Sequence, residues 1–281
     1  MSTPKRIFIT YGSGDLYRKS LRLISSEAQK LRLFDKIIVY RPQDMPDFIQ
    51  SSPLSAYQRG NGYWVWKPWI IWSTLQKYPN AIVVYADGGC TLQPNYEEWN
   101  SWFDLMAQYD ALAFQYRPDV VYPWMEGGIC TTTRVEWTKR ALLDFFADFQ
   151  GGVPLYDTQI QSGVVVAKNA NNKAIKMWLD LTLLHPELVI DCYGREAENQ
   201  YSEFIEHRHD QSMWDACARY WAAKNVVKIL PETGESRKDA AILCTRRRKE
   251  KLPPLKTRII WRIKSFIGEN MYEFLHGRRK Q

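Results

Sequence analysis

The chain has 281 residues, 45% hydrophobic and 25% charged, with 15 Gly and 14 Pro, a composition that excludes collagen-like, low-complexity and disordered classes. Its net charge of +7 is unevenly placed: residues 246–281 hold 12 Lys/Arg against 3 Asp/Glu, while residues 1–245 hold 26 against 28. A near-neutral body over 1–245 followed by a basic extension over 246–281 disfavours a nucleic-acid-binding domain, which spreads positive charge over a folded face.

In chain order, residues 6–11 (RIFITY) are apolar and β-branched and predict a strand, Gly12-Ser13-Gly14-Asp15 predicts a turn, and the spacing of Leu and Ile over 16–33 predicts a helix. Asp35 to Tyr40 predicts a second strand closed by Pro42 and Pro46. Two strands joined by a helix imply a βαβ unit and a parallel sheet. In the segment GYWVWKPWIIWSTLQKY, beginning at Gly62, residues Trp66, Trp69, Ile70 and Leu75 line one helical stripe and Pro68 suits the first turn. Ala81 to Tyr85 is a wholly apolar strand of the buried parallel kind, and it runs into Ala86-Asp87-Gly88-Gly89-Cys90. Further on, 99–109 predicts a helix, 111–115 a strand, 116–133 a loop, 135–149 a helix, 161–167 (QSGVVVA) a strand, and 172–184 and 210–224 helices. The expected fold is α/β: a Rossmann-like, mainly parallel sheet flanked by helices, with a basic amphipathic helical tail.

The five cysteines, Cys90, Cys130, Cys192, Cys217 and Cys244, form no C-x-x-C pair and no zinc-type grouping, as expected of reduced thiols in the cytoplasm. No apolar run has signal-peptide or membrane-span length.

Three groups of residues carry chemistry. Asp87 lies on a glycine-rich turn at the carboxyl end of an apolar strand, where open α/β sheets bind ligands; it suits a divalent cation or a nucleotide ribose, or else simply caps the turn. Glu206-His207-Arg208-His209-Asp210-Gln211-Ser212 concentrates donors and acceptors just before a helix. That density fits either a polyhydroxyl ligand or a helix cap with Asp210 or Ser212 as capping residue. Third, the chain has 12 Trp and 16 Tyr. Tyr63, Trp64, Tyr122 and Trp124 stand in predicted loops where aromatic faces can stack on sugar rings, whereas the Trp66 to Trp72 set reads as core packing.

Four strings, GYWVWKPWIIWSTLQKYPNAIVVYADGGC, VEWTKRALLDFF, QSGVVVAKN and FIEHRHDQSMWD, together resemble bacterial and viral glycosyltransferases of the GT-A fold, of capsule or lipopolysaccharide type, related to glycogenin-like and clostridial-toxin-like retaining enzymes. The resemblance covers roughly residues 5–225. It implies that Asp87 is the first acid of a DxD element holding nucleotide-sugar and metal. Gln161-Ser162-Gly163 resembles the strand start that lines the sugar pocket, Asp210-Gln211 the pair near the anomeric carbon, and Lys67 a basic residue reaching the donor. Tyr11, Gly12, Ser13, Asp15, Gly88 and Arg246 are the further donor-side candidates, His209 a catalytic one, and Tyr122, Trp124 and Glu126 the acceptor loop.

Two positions depart from that pattern. Gly89 stands where a second acid is expected, and the segment Ile242 to Arg248 has Cys244 and Thr245 where a metal-binding histidine is expected. A thiol is a poor ligand for Mg²⁺ or Mn²⁺. Either a divalent cation keeps more water and diphosphate ligands, or Arg246, Arg247 and Arg248 neutralise the leaving diphosphate instead. The expected function is transfer of a sugar from a nucleotide-sugar, UDP-type favoured, to a glycan or lipid-linked acceptor, with retention of configuration. The alternative is a non-catalytic nucleotide- or carbohydrate-binding module. The tail suits either an anionic membrane surface, making the protein peripheral on the cytoplasmic membrane face, or docking on the body.

Overall fold

The computed structural model describes residues 4–122, 131–150 and 154–245. The basic extension, with Arg246, and the loop residues Trp124 and Glu126 lie outside the described residues.

Six strands form one sheet in the order β2-β1-β3-β6-β5-β7: β1 (Arg6–Tyr11), β2 (Lys36–Tyr40), β3 (Ile82–Ala86), β5 (Ala111–Gln115), β6 (Ile160–Lys168) and β7 (Val227–Pro231). A second, two-stranded sheet pairs β4 (Thr91–Leu92) with β8 (Ile242–Leu243) in antiparallel register. The predicted strands are present within a residue or two of their expected bounds. β4, β7 and β8 are not among the expected strands. β4 and β8 are too short to show a period, and β7 is half-buried and follows its helix closely.

The sheet is mixed and mainly parallel, as expected. β1 runs parallel to β2 and β3, and β5 parallel to β7, while β6 runs antiparallel to both β3 and β5. Helices cover both faces, and alternation along the strands sorts side chains between two cores. Ile7, Ile9, Val83 and Tyr85 face helices Trp66–Lys77, Arg140–Gln150, Lys173–Leu184 and Asp210–Ala222. Phe8, Ile82, Val84 and Ala86 face helices Arg18–Leu31 and Tyr96–Leu105. β3 is buried along its whole length, each large aliphatic side chain contributing about 1.5–3 kcal/mol of transfer free energy. Trp66 packs in the first core and Trp69 and Trp72 against it, as the helical stripe predicts. Among the described residues no helix is long and apolar enough to cross a membrane.

Helices Trp66–Lys77 and Asp210–Ala222 precede β3 and β7, which run in the common direction of β1, β2 and β5, so both begin at the carboxyl edge of the sheet. β6 reaches the same edge for the opposite reason. Being antiparallel, it places its first residues, Ile160 to Gly163, beside the ends of β3 and β5, and the Asp87 amide donates to Gly163 O at 2.9 Å.

Candidate functional site

Five side chains meet at this edge. Lys67 Nζ, only 2% exposed, lies 2.6 Å from Asp210 Oδ2 and 3.3 Å from Asp87 Oδ1. It also donates to Ser162 Oγ at 3.3 Å and to Ser162 O at 3.4 Å. Ser162 Oγ in turn donates to Asp210 Oδ2 at 2.8 Å, and the Tyr85 hydroxyl donates to Asp87 Oδ1. Burial opposes the charge on Lys67, but Asp210 and Asp87 overcome it and hold the ammonium above its ordinary value. Burial and the Asp87 carboxylate push the Tyr85 phenol well up, so it stays a donor. Each carboxylate uses one oxygen in this lock. Asp87 Oδ2 and Asp210 Oδ1 have no hydrogen-bond partner among the described residues.

The backbone leading into both helices is strained. Gly60, Asn61, Gly62, Tyr63 and Trp64 all have positive φ, and the Tyr63 and Trp64 amides donate to Arg59 O and Gly60 O, giving one left-handed helical turn. For a residue with a Cβ this conformation costs about 1–2 kcal/mol. At Gly62, with φ 89°, a Cβ would also stand 3.3 Å from Leu54 O. The turn is held by Trp66 Nε1 donating to Gly60 O at 3.0 Å and by the Tyr63 hydroxyl donating to Asp191 at 2.7 Å. His209, with φ 48° and ψ −113°, immediately precedes the other helix. The two strained segments stack on each other: the Trp64 and His209 rings are 5.7 Å apart at 18°, and Tyr63 and His209 are 4.8 Å apart. Lys67 and Asp210 are thus aimed at one another by a shared packing unit.

A second buried pair fixes the neighbouring strand start. Arg134 Nε donates to Asp215 Oδ2 at 2.6 Å, with both side chains at most 1% exposed. Asp215 Oδ1 accepts from Arg219 Nε at 3.0 Å and from the Ile160 amide at 2.9 Å. Burial alone would raise the Asp215 carboxyl, but Arg134 and Arg219 overcome it and hold it below its usual range. Asp215 and Arg219 stand four residues apart on one helix, a spacing visible in the sequence. The partnership with Arg134 has no sequence signal.

Of the expected site residues, the structure brings together Lys67, Asp87, Ser162, Gly163 and Asp210. Asp210 does not cap its helix: its carboxylate turns to Lys67, and Ser212 Oγ donates to Trp137 O at 2.8 Å. Gln161 lies alongside and accepts from Cys244 Sγ at 3.5 Å. Gln211 Nε2 is taken by Gln159 Oε1 at 2.5 Å. Gly12 and Gly88 are adjacent at the edge, and a Cβ on Gly88 would stand 3.0 Å from Tyr11 O and 2.9 Å from Leu21 Cδ2. That close packing is why glycine occurs there. Ser13 is half-buried, and Asp15 is exposed and paired with Arg18.

The aromatic expectations need correcting. Tyr11 is buried, stacked on Trp66 at 3.8 Å, and its hydroxyl accepts from Asn61 Nδ2 at 2.6 Å. Tyr63 and Tyr122 are also buried, the Tyr122 hydroxyl accepting from the Arg117 amide at 2.9 Å. Their rings serve the core and do not present a stacking face.

His209 is 2% exposed, and its Nδ1 donates to Val189 O at 2.8 Å. His207 accepts from the Lys139 amide on Nδ1 and donates to Leu188 O from Nε2. Neither ring joins the lysine cluster through a hydrogen bond. Burial, reinforced by neighbouring cations, holds both rings below the ordinary imidazole value. The unfolded chain binds protons near pH 6.5 while the folded chain does not, so stability is full above about pH 6.5 and falls as pH drops toward the depressed folded values, by up to about 1.4 kcal/mol per pH unit per histidine. Thermal midpoints are expected to hold from about pH 7.5 to 6.5 and to fall from about pH 6.5 to 5.5, and His207→Gln to flatten that fall.

The divalent cation implied by the resemblance does not fit the donors present. Asp87 Oδ1 is shared by Tyr85 and Lys67, and Gly89 has no side chain to offer. Cys244, whose segment does lie against this turn through Thr245 Oγ1 and Gly89 O at 3.0 Å, has its thiol pushed well up by the neighbouring Cys90 thiol and burial. Among the described residues no group of three or more His, Cys, Asp or Glu side chains is placed to hold a metal ion.

Fold and site together define an α/β protein with an ammonium–carboxylate cluster at the carboxyl edge of its sheet. No protein-family model matches the chain and no curated protein matches its sequence. Among the solved structures similar to it are two glycosyltransferases. One is a glycosyltransferase involved in the glycosylation of the major capsid of PBCV-1, 11% identical, with 81% of this chain and 83% of that chain covered at a TM-score of 0.43. The other is mouse xyloside xylosyltransferase 1 in its apo form, 10% identical, with 81% and 85% covered at a TM-score of 0.42.

Proposed function

We propose that this protein transfers a sugar from a nucleotide-sugar, of UDP type, to a hydroxyl of a glycan or lipid-linked acceptor. The observation that carries this reading is the pair of carboxylates that each keep one oxygen outside the protein's hydrogen bonds, Asp87 Oδ2 and Asp210 Oδ1, on a rigid buried lock. Acceptor oxygens fixed in this way suit the hydroxyls of a sugar. Two helix N-termini meet at the same edge, and the positive ends of their dipoles favour an anion such as a diphosphate. The sequence resemblance to glycosyltransferases points the same way.

In the reaction proposed, the bond between the anomeric carbon and the diphosphate oxygen breaks and a bond to the acceptor oxygen forms on the same face. The acceptor proton passes to the departing diphosphate. This retaining course asks for no protein base, which suits a cluster whose carboxylates already accept from Lys67 and whose nearest imidazoles are turned away.

Asp87→Asn tests the assignment. It keeps the shape and an acceptor for Tyr85 but removes the charge from a side chain that is 45% exposed. A charged hydrogen bond to a sugar hydroxyl is worth about 1.5–3 kcal/mol, so transfer from a panel of nucleotide-sugars should drop roughly ten- to a hundredfold with the thermal midpoint unchanged. Equal turnover by variant and wild type contradicts the assignment. Donor binding without turnover in the wild type favours a non-catalytic module.

A further inference from the structure

We propose that the ammonium of Lys67 is the resident cation of this site: it fills the position between Asp87 and Asp210 that a divalent ion would need, and no Mg²⁺ or Mn²⁺ binds there until the lysine is removed. The inference concerns what holds the two carboxylates together and stands independently of sugar transfer.

Nζ is surrounded by oxygens from three separate segments: Asp210 Oδ2 at 2.6 Å, Asp87 Oδ1 and Ser162 Oγ at 3.3 Å, and Ser162 O at 3.4 Å. That is an oxygen cage of the kind a hard cation prefers, already closed around a nitrogen. The stem of Lys67 comes from the first turn of helix Trp66–Lys77, and the residue is 2% exposed, so the ammonium has no route to water without leaving the cage. A metal ion bound between the carboxylates would meet a like charge at close range. It would also strand a buried ammonium without its counter-ions, a strongly unfavourable arrangement. Gly89 fits the same picture: with one fixed positive charge against two carboxylates, a third acid on the turn would raise the local negative excess without a cation to meet it.

The test is a Mn²⁺ titration followed by the electron paramagnetic resonance signal of the free ion, together with thermal midpoints in MnCl₂ and in EDTA, each with and without UDP. Wild type is expected to leave the free-ion signal at the level of protein-free buffer holding the same UDP, and to melt at the same temperature in MnCl₂ and in EDTA. Lys67→Ser, which leaves the two carboxylates facing an empty position, is expected to take up one Mn²⁺ per chain. Its midpoint, lowered in EDTA, should rise with the metal, and adding Asp87→Asn should abolish the gain. Lys67→Gln, closer in volume, replaces the serine variant if that chain does not fold. Mn²⁺ uptake by wild type that is lost in Asp87→Asn overturns the proposal, and so does a folded Lys67 variant that takes up none.

Discussion

Asp215→Ala is expected to lower the stability of the fold by about 3–5 kcal/mol, the usual cost of stranding one member of a buried ion pair. Arg134, 1% exposed, would keep its charge and lose the carboxylate 2.6 Å away. Arg219 and the Ile160 amide would lose the same acceptor. For a chain of this size the thermal midpoint should fall by roughly 10 °C. Asp215→Asn keeps an acceptor for Ile160 and removes only the charge, so it should fall between wild type and Asp215→Ala. Arg134→Met in the asparagine background should recover part of the loss, because removing both charges of the pair leaves no guanidinium stranded at position 134. A midpoint for Asp215→Ala within a degree or two of wild type would show that the pair does not hold helix Asp210–Ala222 to the start of β6.

Asp210→Ala should have the second large effect, on stability and on transfer together. It removes the nearest counter-ion of a buried ammonium and leaves Lys67 with Asp87 at 3.3 Å. The expected cost is about 3 kcal/mol, the lower end of the range for a broken buried pair, since one carboxylate remains. Transfer should fall below the level of Asp87→Asn, because both the sugar contact and the lock are lost. The contrast between the two carboxylates is the informative measurement. Loss of activity at equal stability for Asp87→Asn, with loss of both for Asp210→Ala, separates the exposed half of the cluster from its buried half. Equal stability losses in the two variants would contradict the burial that distinguishes them.

Much of the candidate site was legible in the sequence, and some was not. Asp87 stood out because an acid follows an apolar strand directly, and Asp210 because its segment is dense in polar groups before an amphipathic helix. Both features are local. Of the two roles the sequence leaves open for Asp210, the cap is excluded because its carboxylate finds Lys67, 143 residues away in the chain, a stronger partner than its own helix amides. Tyr63 and Tyr122 looked like loop aromatics because their neighbours are Gly or Pro. Loop position does not report burial, and here both rings are needed inside.

The sequence by itself determined where the chain extends and where it coils, since strand and helix periods in apolar residues are set by local burial. It also carried the βαβ start, the buried character of β3 and the mixed polarity of the helices. Only the tertiary structure decided the direction of β6. A strand covered on both faces reads as one apolar run whichever way it points, so the run Val164 to Ala167 says nothing of its antiparallel course. That course puts Ser162 and Gly163 at the carboxyl edge, where parallel strands end. The left-handed turn over residues 60–64 was equally hidden: Tyr63 and Trp64 have no intrinsic preference for it, and it persists because burial, the Asp191 contact and stacking on His209 outweigh its strain. Pairing of distant charges and strain held by packing are properties of the assembled core, which is why Lys67 acquires its role only once the chain is folded.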